Sequence, residues 1–216
     1  GNIALKQATL DDTDSREQGE LSKQGARTDI SEIKDQIKNG SSFRDVIETA
    51  TSYQSLRIAE KILVYYEKPR TWKTEVYWYH GTTGTGKTKH AYALSNNPWI
   101  SSGDLKWFQG YDGHEDVIFD DFRPSQCSYA TLLRLTDRYP YQIEYKGGSR
   151  QFVPKRIFIT SSMSPTDMFP DYDDSVNQLL RRIKEIKLFT KSTSFQHALQ
   201  KELFTKKVLP QIAKND

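Results

Sequence analysis

The stretch Gly81-Thr82-Thr83-Gly84-Thr85-Gly86-Lys87-Thr88 fits the pattern G-x-x-x-x-G-K-[ST] at every fixed position, and the chemistry of that pattern is phosphate binding. Glycines let the backbone turn tightly and aim successive N–H groups at one point, at the start of a helix where an anion is favoured. Lys87 supplies a cation for the β- and γ-phosphates of a nucleotide, and the Thr88 hydroxyl supplies a ligand for Mg²⁺. Further on, Val117-Ile118-Phe119-Asp120-Asp121 is an apolar run closed by two acids. After a phosphate loop, that arrangement pairs a carboxylate that holds Mg²⁺ through water, Asp120, with one that orients or deprotonates an attacking water, Asp121. The expected ligands are therefore ATP and Mg²⁺. Each stretch also has a bland reading: a Gly/Thr-rich turn for the first, and a strand end followed by a helix-capping Asp for the second.

These residues need a scaffold, and the flanking sequence supplies the pattern of one. Val76-Tyr77-Trp78-Tyr79-His80 is β-branched and aromatic, as a buried strand should be, and Lys89 to Leu94 reads as a helix stopped by Asn96-Asn97-Pro98. Trp99-Ile100-Ser101 is a candidate second strand, and Tyr129 to Tyr139 a helix closed by Pro140. Tyr141–Tyr145 and Arg150–Val153 alternate on either side of Lys146-Gly147-Gly148-Ser149, which predicts a β-hairpin carrying a cation at its tip. Arg156–Ser162 is a buried strand ending in hydroxyls, Pro165 and Pro170 mark a loop, and Leu179–Ile183 resumes a helix or turn before a last strand at Ile186–Phe189. The predicted class is α/β: a central, mostly parallel sheet flanked by helices over residues 70–190, with the basic remainder, 191–216, as a helix and tail.

Ahead of that body, residues 27–69 predict a small helical bundle. Asp29 with Glu32 suits the start of a helix bearing Ile30, Ile33 and Ile37; Ser42 with Asp45 starts a second; a third runs from about Gln54 to Lys68 with Leu56, Ala59, Ile62, Leu63 and Tyr66 inward. Residues 1–26 are polar, without hydrophobic period, and read as a disordered arm. Tyr65-Tyr66-Glu67-Lys68 matches a nickase nucleophile pattern, Tyr-x-x-Lys, but it ends a helix and no His-x-His metal motif precedes it.

The chain has 216 residues, 27% of them charged, and a net charge of +3. Positive charge concentrates after Val176, where nine Lys and Arg face three acids, so nucleic acid is a candidate partner. No apolar run is long enough to span a membrane. The single cysteine, Cys127, excludes an internal disulfide and suggests a reducing compartment. The four histidines lack metal-ligand spacing. The first residue is Gly, so a processed or cloned fragment is expected.

Phosphate loop, Asp-Asp strand, basic hairpin and hydroxyl-ended strand within Gly81–Ser162 make a layout that resembles superfamily 3 helicases. Gly110-Tyr111-Asp112-Gly113, Ile118-Phe119-Asp120-Asp121-Phe122, Leu132-Leu133-Arg134-Leu135-Thr136-Asp137-Arg138-Tyr139-Pro140, Glu144-Tyr145-Lys146-Gly147-Gly148 and Leu180-Arg181-Arg182-Ile183 are similar to runs in the replication initiators of circoviruses and related small circular single-stranded DNA viruses. The resemblance implies an AAA+-like ATPase that forms a homo-hexameric ring around single-stranded DNA and acts as a helicase. It implies oligomerisation through the helices at 29–68, an HUH nickase domain N-terminal to this segment in the full-length protein, a place in the host nucleus, and no membrane. It further implies that Arg181 or Arg182 reaches a neighbour's nucleotide, that Lys146, Gly147 and Arg150 of the hairpin meet DNA, and that Ser162 stands where the family carries a sensor Asn. Serine is the shorter side chain and offers less than an amide. Two alternatives stay open: an ATP-switched scaffold ring that hydrolyses slowly, and a P-loop kinase of a small metabolite.

Overall fold

The computed structural model describes residues 28–101, 103–170 and 173–191. The expected arm, and all of the basic tail but Lys191, lie outside the described residues.

Five strands form one parallel sheet: β1 (Glu75–Gly81), β2 (Trp99–Ile100), β3 (Asp116–Phe119), β6 (Arg156–Ser161) and β7 (Ile183–Phe189), in the order β2-β3-β6-β1-β7. Such strands are covered on both faces and read as apolar runs rather than as alternation. Val117, Ile118 and Phe119, and Ile157, Phe158 and Ile159, are all buried. The phosphate-loop strand β1 and the acid-bearing strand β3 are not neighbours; β6 lies between them, and Ile159 pairs with both Trp78 and Phe119. That register brings the ends of three strands level. It sets the residues after Phe119, those after Ile159 and the loop after Gly81 along the C-terminal edge of the sheet, where open α/β sheets bind ligands.

Helix α4 (Lys87–Leu94) covers one face over Tyr79, Ile118, Phe158 and Phe189. The other face is the larger core, rich in aromatics: Trp78, Trp99, Phe108, Phe119, Phe122 and Phe152. Over it lie α5 (Tyr129–Leu135), the single turn α6 (Pro165–Met168), α7 (Asp173–Leu180), and the hairpin of β4 (Gln142–Tyr145) and β5 (Gly148–Gln151). Helix α5 ends four residues earlier than its apolar pattern predicts. The buried Arg70 guanidinium explains the end: it donates to the carbonyls of Arg134 (2.6 Å), Leu135 (2.8 Å) and Tyr139 (2.7 Å), which a continuing helix would have used itself. Burial pulls the pKa of Arg70 down to about 10.

The helical unit is α1 (Thr28–Lys38), α2 (Phe43–Thr49) and α3 (Tyr53–Tyr66), packed around Ile33, Ile37, Val46, Ala59 and Leu63. Ser42 and Asp45 form the expected capping box on α2. Asp29 does not cap α1; it lies in the first turn and accepts the Ser55 hydroxyl at 2.6 Å. The inward line of α3 is Ser55, Ala59, Leu63, so Leu56 is only partly buried and Tyr66 turns outward beneath the Lys34 and Lys38 ammonium groups.

The unit is fastened to the α/β body by a buried ionic knot. Arg150 of β5 pairs with Glu67 at the end of α3 (2.6 Å) and with Asp112 (2.8 Å). Asp112 also accepts the backbone N–H groups of Phe43 and Arg44 at the start of α2, at 2.9 and 3.0 Å. Sequence reasoning assigns Arg150 to DNA, and the structure overturns this: its side chain is 5% exposed and its guanidinium is spent on two carboxylates. No helix among the described residues is long and apolar enough to cross a membrane.

Burial alone would raise the Asp112 pKa, but Arg150 and the two N–H groups outweigh it and hold the carboxyl below its ordinary value. A depressed folded-state pKa contributes stability that is present above the ordinary carboxylate range and lost as pH falls through the folded value. Asp112→Ala leaves two N–H groups without an acceptor and Arg150 with one partner, so a loss of about 2–4 kcal/mol is expected at pH 7. In urea titrations at pH 7 and pH 3 the variant should differ from the parent at the first and approach it at the second. Parallel losses at both would show that Asp112 is not a titrating tie.

Candidate active site: a phosphate loop facing paired acids

Gly81 ends β1 with φ 134°, and a Cβ there would sit 2.1 Å from the Phe189 carbonyl oxygen of β7. Only glycine lets the two strands approach this closely at the mouth of the loop. Gly84 (φ 79°) and Gly86 (φ 87°) carry the turn through the left-handed region, and Gly86 is the N-cap of α4. Thr85 is buried and closes the loop from inside, its hydroxyl donating to the Thr82 carbonyl at 2.8 Å. Lys87 lies at the start of α4 with its ammonium folded over the loop's own carbonyls, Gly81 O at 2.7 Å and Thr82 O at 2.9 Å. Burial draws its pKa below the ordinary lysine value, against the pull of Asp121 and Asp120.

Opposite stand the acids. Asp120 Oδ1 accepts the Thr88 hydroxyl at 2.7 Å and the Thr160 hydroxyl at 2.8 Å, while its backbone N–H donates to Ser101 Oγ. Asp121 is held in the left-handed region (φ 47°) by its N–H, which donates to Thr160 Oγ1 at 2.9 Å. Its carboxylate accepts from Arg123 at 2.7 Å, in the open. Gly84, Lys87, Thr88, Asp120, Asp121 and Ser162 share the walls of one open cleft of about 1150 Å³. Among the described residues no three His, Cys, Asp or Glu gather to hold a metal. The pair Thr88–Asp120 does fit Mg²⁺, which takes one or two protein oxygens and fills the rest of its shell with phosphate and water.

Sequence reasoning missed Thr160. Ser162 is exposed on the cleft wall, but the strand-end hydroxyl that touches both acids belongs to the residue two before it. The alternation of Thr160-Ser161-Ser162 carried the signal: period 2 puts Thr160 and Ser162 on one side and turns Ser161 to the Phe122 carbonyl. Arg181 and Arg182 are not in the cleft. They precede Ile183, which pairs with Val76 at the N-terminal end of β1, about 17 Å of strand from Gly81 at 3.3 Å per residue. Arg182 is tied to Asp137 at 2.7 Å and to the Gln178 carbonyl at 2.6 Å. Arg181 is exposed, its Nε donating to Asn177 O of the preceding helix α7.

The hairpin tip is tighter than expected. Tyr145 pairs with Gly148, which leaves Lys146-Gly147 as a two-residue turn that Gly147 permits at φ 112°. Lys146 is exposed, and its N–H donates to Gln109 Oε1 at 3.2 Å. That contact, with Phe108 N–H donating to Glu144 O at 2.8 Å, straps the loop before β3 against the hairpin. The same loop displays Trp107, 39% exposed, with the Lys106 ammonium 5.4 Å from its ring centre. Neither residue stood out by spacing; an aromatic beside a lysine near a basic hairpin was the available sign.

Residues 77–163 match a family model described as RNA helicase. Over 177 residues the chain is 34% identical to the replication-associated protein of goose circovirus, covering 80% of this chain and 59% of that protein. It is 35% identical over 187 residues to that of human associated cyclovirus 1, 80% of this chain and 65% of the other. For porcine circovirus 2 the identity is 33% over 177 residues, 79% and 56% of the two chains. The chain thus spans rather more than half the length of these relatives. Among solved structures, the S. cerevisiae Hsp104–ADP complex overlaps 73% of this chain and 30% of that one at 16% identity and a TM-score of 0.35, a likeness too slight to bear on the site. Across most of its length this chain is therefore similar in sequence to the circovirus replication-associated proteins, and its central P-loop segment matches a helicase family model.

Proposed function

We propose that the chain is an ATP-hydrolysing motor that works on single-stranded DNA as a ring of identical subunits. The observation that carries the reading is the Asp120–Thr88 contact at 2.7 Å across the mouth of the phosphate loop. A carboxylate and a hydroxyl at this spacing, beside a lysine, are the parts that phosphoryl transfer needs. Mg²⁺ held there supplies charge neutralisation at the phosphates. Loop N–H groups and Lys87 bind the phosphate oxygens, the ammonium exchanging two loop carbonyls for them. Thr160 keeps Asp120 aimed at Thr88 and holds the backbone of Asp121, whose carboxylate orients the attacking water. A slowly hydrolysing scaffold ring would follow from the short Ser162 at the sensor position, and the Thr160 hydroxyl on Asp120 weakens that reading. A small-molecule kinase would have no use for the hairpin.

An arginine 17 Å or so along the sheet from its own loop serves hydrolysis only from a neighbouring subunit. Arg181, exposed and free of the Asp137 pair, is the better placed of the two. DNA contact falls to the tip Lys146-Gly147 with Lys106 and Trp107 beside it: cations for the backbone and a ring face for a base, the combination that binds single strands irrespective of sequence.

Three outcomes are expected. Thr160→Val keeps the shape and removes the hydroxyl, and a lost supporting partner of a metal ligand typically costs about 10–100-fold. The Mg²⁺ needed for half-maximal ATP hydrolysis should rise by that factor, and an unchanged requirement would remove Thr160 from the site. Arg181→Ala should lower turnover by roughly 10³-fold, the low end for an arginine acting in trans, and mixing it with Lys87→Ala should restore part of it, whereas Arg182→Ala should chiefly lower stability. No rescue, in rings shown to hold both chains, would contradict the trans role. Lys146→Ala should reduce the salt dependence of single-stranded DNA binding by about 0.7 in log–log slope. Trp107→Ala should leave the slope alone and cost about 1–3 kcal/mol of affinity. Parent-like binding by both variants would move the DNA site elsewhere.

A further inference from the structure

Arg123 lines the cleft, and the reading above gives it no task. Its guanidinium Nη2 donates to Asp121 Oδ2 at 2.7 Å, with the two side chains 68% and 63% exposed. Asp121 is one of two non-glycine residues with positive φ among those described, and its N–H is fixed on Thr160. The backbone therefore cannot swing; only the carboxylate can turn. Within the cleft both reactive charges are engaged with protein: Lys87 with loop carbonyls, Asp121 with Arg123. An exposed pair of this kind is weak, so it yields to a stronger partner. A phosphate presents a guanidinium with more charge and a matching fork of oxygens.

We propose that Arg123 is a positioning residue that holds the Asp121 carboxylate aside until a triphosphate occupies the cleft, and then moves to the terminal phosphate and leaves the carboxylate to the attacking water. The inference rests on the ATPase reading and deepens it: it assigns the discrimination between ATP and ADP to one side chain. ADP lacks the phosphate that would draw Arg123 away, so the diphosphate leaves the latch closed. No bond is made or broken in the exchange.

Competition of ATP and ADP against a fluorescent nucleotide, under conditions without turnover, tests it directly. Arg123→Gln should weaken ATP about tenfold, roughly one charge-assisted bond, and leave ADP within twofold. Arg123→Lys should recover part of the loss. Asp121→Asn, which loosens the latch without touching a phosphate contact, should bind ATP at least as tightly as the parent. Equal losses for ATP and ADP, or no loss for either, overturn the role of Arg123 alone. Failure of the unsubstituted protein to bind either nucleotide overturns the ATPase reading and this one with it.

Discussion

Two hydroxyls meet on one carboxylate oxygen, and the rest of the site depends on that meeting. Thr88 arrives from the helix after the phosphate loop, Thr160 from the end of β6, and Asp120 from the end of β3. None of the three segments is adjacent in sequence. What assembles them is the parallel register in which Ile159 pairs with Trp78 on one side and Phe119 on the other. A slip of one residue in β6 would turn Thr160 to the opposite face and present Ser161 instead. The buried aliphatic and aromatic side chains of β3 and β6 forbid that slip, because it would carry them out of their cores. The large cores on either face thus act as the ruler that sets a 2.7 Å contact at the edge of the sheet.

A second constraint joins the parts proposed to handle DNA to the helices proposed to hold subunits together. Arg150 ties β5 to α3 through Glu67 and to the start of α2 through Asp112. The loop bearing Trp107 is strapped to β4 and to the hairpin tip. Hairpin, aromatic loop and helical unit therefore share a common set of fastenings. Burying charge is costly unless each group is paired, and here all three members are. The knot makes the relative placement of the elements specific in a way that apolar contact alone would not.

The candidate site was legible wherever it was local. The phosphate loop, Asp120 and Asp121 depend on short spacing and a strand-turn context, and residue types alone point to them. What escaped were residues whose role is set by pairing. Arg150 read as a second hairpin cation, yet it stands directly across from Ile143, which is 2% exposed. Cross-strand partners share a face, so an inward isoleucine should have warned of an inward arginine. Arg70 follows a proline that ends a helix in the pattern. That it would collect the carbonyls of Arg134, Leu135 and Tyr139 depends on contacts across more than sixty residues, which no spacing encodes. Thr160 lay between the two: parity placed it with Ser162, but only the register decided which of them reached the acids.

The cleft is proposed to hydrolyse ATP, and DNA at the hairpin to be coupled to that hydrolysis. ATP turnover measured with and without single-stranded DNA, at protein concentrations where rings form, tests it most directly. The expected result is Mg²⁺-dependent turnover that single-stranded DNA raises several-fold, with the increase lost as salt screens the phosphate contacts. Turnover indifferent to DNA at every salt concentration, or no turnover with Mg²⁺ and ATP saturating, would contradict it.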